Sequence, residues 1–169
     1  VRPASSPVID KNLLFLTYDG VDQQFVAALE KETGKTRWLT KRTYKSGQEP
    51  PKSKPNDNRK SYATPTIIEH NGRKQLISPA AEATYSYDPS SGKELWFIRH
   101  GKGYGYNVTC RPIYRHGLIF TNSGISKYLF AIDPSGSGDV TDTHIRWTTR
   151  RGVSNIPVPL VVGDNLYMI

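Results

Sequence analysis

The stretch best suited to chemistry is His100-Gly-Lys-Gly-Tyr-Gly-Tyr-Asn-Val-Thr-Cys-Arg111. Three glycines alternate with Lys102, Tyr104 and Tyr106, and Asn107 and Arg111 follow. Flexible backbone, ring faces, an amide and cations in one short segment could hold a sugar, a planar ring or an anion. The same residues also read as a glycine-rich connector whose tyrosines pack on a neighbouring element. They do not form a phosphate loop, which needs a strand–loop–helix setting to aim backbone amides at phosphate. A second cluster, Asp133-Pro-Ser-Gly-Ser-Gly-Asp139 with Asp142 three residues on, offers oxygens to a calcium ion. An EF-hand loop would need a glutamate in twelfth place, where His144 stands. The simpler reading is a hairpin turn carrying an insertion.

Other chemistry is bounded by residue counts. The single cysteine, Cys110, excludes an internal disulfide and a multi-cysteine metal site. The four histidines, His70, His100, His116 and His144, are too far apart for zinc spacing, and His70 and His116 fall in turns, where exposure is expected. Between Lys41 and Thr64 run Lys41, Arg42, Lys45, Lys52, Lys54, Arg59 and Lys60, opposed only by Glu49 and Asp57. Such a run is a solvated surface loop or a docking element for an acidic partner. The net charge of +8 permits anionic partners, but the aromatic residues follow a repeat instead of a nucleic-acid module, so nucleic acid is not expected. No 18-residue apolar run occurs, so no membrane span is expected. With 36% hydrophobic residues, 169 residues can bury a real core, while 14 glycines and 12 prolines argue against long helices.

The elements that would position these residues recur along the chain. Phe25-Val-Ala-Ala-Leu-Glu-Lys-Glu-Thr-Gly-Lys-Thr-Arg-Trp38 aligns with Thr84-Tyr-Ser-Tyr-Asp-Pro-Ser-Ser-Gly-Lys-Glu-Leu-Trp96. Leu129-Phe-Ala-Ile-Asp-Pro134 matches both and reaches Trp147 through a longer turn. Gly34 corresponds to Gly92, and Trp38, Trp96 and Trp147 take matching places. A proline, an apolar run, a polar turn and a second apolar run precede each unit. These marks begin at Pro7, Pro65, Pro112 and Pro159, which are 58, 47 and 47 residues apart.

Each unit reads as four short strands joined by glycine-bearing turns. Leu13-Leu-Phe-Leu and Leu118-Ile-Phe are apolar throughout, as strands are when both faces are covered. Four-stranded units of this length stacked face to face are propeller blades. The expected fold is all-β: a β-propeller of four-stranded antiparallel blades forming a partial ring. Residues 1–169 then belong to one propeller domain, with blades at about 7–60, 61–108 and 109–156 and the start of a fourth at 157–169. The rest of the ring is expected from a longer chain, of which these residues are a fragment, or from a second chain.

The pattern Ala28-Leu-Glu-x-x-Thr-Gly-Lys-x-x-Trp38, echoed by Tyr87-Asp-x-x-Ser-Gly-Lys-x-x-Trp96, resembles the pyrroloquinoline-quinone-type propeller repeat. That repeat occurs in quinoprotein alcohol dehydrogenases and in the lipoprotein scaffold of the outer-membrane barrel-assembly machine. The large extracytoplasmic propeller proteins of planctomycetes are the nearest likeness. The resemblance implies that Trp38, Trp96 and Trp147 dock between blades as structural clamps, with Gly34 and Gly92 in the associated turns. It implies an extracytoplasmic scaffold for a protein or glycan, with a quinone-dependent dehydrogenase fragment as the alternative. The quinone enzymes carry an adjacent cysteine pair, calcium ligands and an aspartate base, and no cysteine pair is present here. No cofactor is therefore expected in this chain, and pyrroloquinoline quinone with calcium only under the alternative. In such a ring the blade-to-blade connections form the ligand face. This places Tyr104, Tyr106, Asn107 and Arg111, with Tyr62 and Asn155, at the expected binding site, and the turns at Gly34, Gly92, His70 and His116 away from it.

Overall fold

A computed structural model describes residues 5–43, 59–100 and 107–168. The first sheet is the meander β1 (Val8–Asp10), β2 (Leu13–Asp19), β3 (Gln24–Glu30) and β4 (Thr36–Lys41). The second is β5 (Thr66–His70), β6 (Arg73–Ala80), β7 (Ala83–Tyr87) and β8 (Glu94–Arg99). The third contains β9 (Ile113–Arg115), β10 (Leu118–Asn122), β11 (Leu129–Ile132) and β13 (Ile145–Thr149). A final hairpin joins β14 (Leu160–Val162) to β15 (Asn165–Tyr167). The chain is thus part of a β-propeller, with three four-stranded antiparallel blades and two strands of a fourth. No helix among the described residues is long and apolar enough to cross a membrane.

The repeat read in the sequence is a repeat of register. Phe15 pairs with Ala28 and Ala28 with Trp38 in blade one. Ile77, Ser86 and Trp96 line up in the same way in blade two, and Phe120, Ala131 and Trp147 in blade three. In each blade the pairing of third and fourth strands slips just after this row, at Ala28/Leu29, Ser86/Tyr87 and Ala131/Ile132. Such a bulge re-aims the strand beyond it. The tryptophan rings therefore occupy equivalent places, and Phe15–Trp38 and Phe120–Trp147 both stand 5.9 Å apart.

Alternate residues of the inner strands face opposite neighbours. Leu76 packs with Phe15, Val26 and Tyr85 in the core between blades one and two, whereas Ile77 joins Trp96, Ile119 and Phe130 in the next. Phe120, directly after Ile119, points the other way, into a cluster with Ala131, Val161 and Leu166. That two-sided burial is why Leu118-Ile-Phe lacks alternation. In blade one only one face is covered, so Phe15 is buried while Leu14 and Leu16 remain half-buried.

Three details differ from expectation. The longer turn of blade three sends β12 (Gly138–Asp139) alongside β8 as a parallel fifth strand, covering the outer edge of blade two. Trp147, expected to be buried, is 42% exposed, because it has Phe120 beneath it and, among the described residues, no turn of a following blade over it of the kind that covers Trp38. His70 is half-buried instead of exposed, since its Nδ1 lies 2.9 Å from the Tyr114 hydroxyl of the following blade.

Candidate functional site

Antiparallel meanders place the turns between second and third strands at the same end of every blade as the blade-to-blade connections. At this connector end three connecting segments run side by side. The Tyr62 amide donates to Val108 O at 2.8 Å, and the Asn107 amide to Lys60 O at 3.0 Å. Ser61 bridges both Asp19 and Val108, and the Thr109 hydroxyl donates to Asn155 O at 3.3 Å. The Cys110 thiol donates to Pro157 O at 2.8 Å and accepts from Asn122 Nδ2 at 2.8 Å. Burial pushes this thiol up to about 11, the Asn122 amide opposing, so it is a packed thiol and not a nucleophile.

The predicted site residues thus share one neighbourhood in part. Tyr62, Asn107 and Asn155 are half-buried along the line of connectors, and Asn107 takes a left-handed φ of 56°. Asn155 Oδ1 is buried without a hydrogen-bond partner among the described residues. Arg111 is exposed, its Nε donating to the Thr66 hydroxyl at 3.0 Å. Tyr104 and Tyr106 lie outside the described residues. The turns at Gly34, Gly92, His70 and His116 sit at the opposite end, as their places between strands require.

The calcium candidates are held by arginines instead of converging. Asp133 accepts from the Ser135 amide and pairs with Arg146; burial acts to raise its carboxyl, and these partners outweigh burial and bring it to about 2. Asp139 binds Arg99 Nε at 3.1 Å and Asp142 faces Arg99 Nη2 at 3.7 Å. Among the described residues no group of three His, Cys, Asp or Glu side chains gathers as a metal site.

Two of the tryptophans make contacts across the seams. Trp38 Nε1 donates to Pro89 O of blade two at 3.0 Å, and Thr40 donates to Gly92 O at 2.7 Å. Gly92 has a φ of 73°, and a Cβ there would meet the Trp38 ring at 2.5 Å, so two constraints select glycine. Trp96 departs from a direct bond to backbone: its Nε1 donates to Gln75 Oε1 at 2.9 Å, and Gln75 Nε2 passes the link to Pro134 O. Pro134 is the counterpart of Pro89, so the amide side chain relays the same contact.

Sequence reasoning missed the residue that follows each fourth strand. Arg42 grips Asp19 in a bidentate pair at 2.8 and 3.0 Å, both side chains buried. It also donates to Ser78 and Tyr87 and lies 4.9 Å over the Tyr85 ring, all in blade two. Burial raises the Asp19 carboxyl, with Arg42 opposing, and pushes Tyr87 up to about 12. His100 holds the same place in blade two. It stacks on Phe130 at 5.2 Å, the counterpart of Tyr85, with Nε2 2.8 Å from the Thr84 hydroxyl. Burial drives its pKa down to about 3. The third member is Arg150, which lies 4.8 Å over Tyr128 of its own blade. The available signal was positional: each lies four residues after a tryptophan, or three in blade three.

No family model and no curated protein matches this sequence. Solved structures do. Quinohemoprotein alcohol dehydrogenase from Comamonas testosteroni aligns at a TM-score of 0.57 and 15% identity, over 88% of this chain and 21% of its own. Quinohemoprotein alcohol dehydrogenase ADHIIG from Pseudomonas putida HK5 aligns at 0.55 and 15%, over 81% and 20%. A europium-containing methanol dehydrogenase aligns at 0.61 and 12%, over 88% and 25%. At these identities the likeness is one of fold, the quinoprotein-type propeller. The chain spans a quarter or less of the length of these structures.

Proposed function

We propose that these residues are a scaffold: part of an extracytoplasmic β-propeller that binds a protein or glycan and is not itself catalytic. The observation that carries this is the use of the buried polar side chains. Asp19 and Arg42, His100, Gln75 and Cys110 all bind across seams or between connectors. A group walled in this way does not reach a substrate. Trp38 and Trp96 fit the docking role that the resemblance of the repeat implies, while Trp147 has no such contact among the described residues, and the remaining blades come from a longer chain or a second one. The extracytoplasmic placement, and the nearer likeness to the large planctomycete proteins, rest on the family resemblance of the repeat alone.

A fragment of a quinone-dependent alcohol or sugar dehydrogenase is the competing reading, on the resemblance of the repeat. Thermal unfolding with pyrroloquinoline quinone and calcium separates the two, because a ligand that binds only the folded state must raise Tm. The scaffold reading expects Tm to stay unchanged. A saturable rise would overturn it.

A further inference from the structure

Blades one and two each have a whole blade after them, yet their outer edges differ. In blade two the outermost strand β8 is covered by β12, which pairs with it in parallel at Trp96 and Phe97. The Val140 amide donates to Phe97 O at 2.9 Å, Asp139 binds Arg99 Nε at 3.1 Å, and Val140 is buried in the cluster that holds Trp96 and Ile98. This cover comes from the long turn of the following blade. The turn that follows blade one is short: the Asp88 amide closes on Lys93 O, where in blade three the Asp133 amide closes on His144 O. Strand β4 therefore ends its sheet, with no strand beside it among the described residues.

The residues of β4 match those of β8 in register. Trp38 takes the place of Trp96, Leu39 of Phe97, Thr40 of Ile98 and Lys41 of Arg99. The Arg42 amide donates to Gln24 O, so by the alternation of antiparallel pairing Trp38 and Thr40 turn their backbone groups to β3. Leu39 and Lys41 turn theirs outward, and Leu39 presents the donor and acceptor that Phe97 presents to β12. Lys41 is exposed at the place where Arg99 holds Asp139. Arg99, in a blade flanked on both sides, still has a side chain 41% exposed, so reach to this place does not depend on a missing neighbour. Trp38 is only half-buried although Gly92 of blade two lies against its ring, whereas Trp96 is buried. No counterpart of Val140 covers Trp38 among the described residues.

We propose that the outer edge of blade one, along Trp38–Lys41, binds an extended segment of a partner protein as a parallel fifth strand. The segment carries a small residue, a carboxylate and a branched aliphatic residue in succession, as Gly138-Asp139-Val140 does on blade two. Its backbone bonds the outward groups of Leu39, its carboxylate pairs with Lys41, and its aliphatic side chain covers the open rim of Trp38. This rests on the scaffold reading and names how its partner is held. The ladder requires a partner with a row of amides, which selects a protein over a glycan.

The test is fluorescence anisotropy with the labelled peptide Ser-Gly-Ser-Gly-Asp-Val-Thr-Asp, the sequence of residues 135–142, titrated with the whole chain. Saturable binding is expected below about 1 mM. Leu39→Pro removes an N–H that takes no part in the β3–β4 ladder, so the fold should survive while binding weakens about tenfold or more. Lys41→Glu should weaken binding several-fold, and a peptide with lysine for its first aspartate should regain that loss. Lys11→Glu, an equal change of charge at the hairpin of the opposite edge, should leave binding within about twofold. No saturable binding, equal weakening by Lys41→Glu and Lys11→Glu, or failure of the lysine peptide to rescue Lys41→Glu overturns the proposal. So does unchanged binding to a folded Leu39→Pro chain. These outcomes leave the scaffold reading standing, since that falls only on a quinone-dependent rise in Tm.

Discussion

Arg42→Ala is expected to destabilise the chain by about 3–5 kcal/mol, the range for removing one partner of a buried ion pair. The size follows from what stays behind. Asp19 would remain walled in with no cation, and Ser78 and Tyr87 would each lose a donor. Two blades would loosen together, because Arg42 and Asp19 belong to the first while Ser78, Tyr85 and Tyr87 belong to the second. The pH dependence has a definite sign. Burial already raises the Asp19 carboxyl, and without the guanidinium it would rise further. A raised carboxyl pKa costs stability only above the unfolded value, so the deficit should be larger at pH 7 than at pH 4. Urea unfolding at both pH values measures it. A deficit below about 1 kcal/mol at pH 7 would place Arg42 at the surface instead of in the seam.

Trp96→Ala is expected to cost a similar amount, about 3–5 kcal/mol, as a large core truncation. Trp96 is 0% exposed, between Ile77 and Ile98 of its own blade and Ile119, Phe130 and Val140 of the next. The variant would also remove the indole donor to Gln75, whose Oε1 keeps only the Ser86 hydroxyl at 2.7 Å. Trp147→Ala supplies the contrast. It sits in the same register but is 42% exposed, so its loss should be less than half as large. Equal losses at the two positions would contradict the difference in their surroundings.

Much of this architecture was legible because propeller blades repeat local chemistry. The tryptophan, the turn glycine and the leading proline each mark a fixed place in a blade, so their spacing reported both strand count and register. The seams were hidden for the opposite reason. Arg42 and Tyr87 are 45 residues apart, and the position that holds Arg42 in one blade holds His100 in the next. A cation over a tyrosine and an imidazole over a phenylalanine fill the same space with different residues, leaving no repeated letter to find. The Trp96 relay was hidden likewise, since Gln75 has no counterpart of its own type at Leu13 or Leu118. Asp133, Asp139 and Asp142 come into question as calcium ligands, behind the simpler reading of a hairpin turn with an insertion, because composition shows carboxylates but not the arginines that folding brings to them.

Whether each blade seals the side chain that follows the preceding fourth strand can be read at a single group. His100 lies at the seam of blades two and three, stacked on Phe130 and buried. An imidazole free in water titrates near 6.5, whereas burial brings this one to about 3. The sign is fixed: below about pH 6.5 the unfolded chain takes up a proton that the folded chain refuses, so acid destabilises the fold through this residue. NMR titration of the His100 ring is the direct measurement. The sealed seam predicts no change in its shifts between pH 8 and pH 5. Titration with a midpoint near 6.5 would show the ring open to water and contradict the stacking of blades on which the whole reading depends.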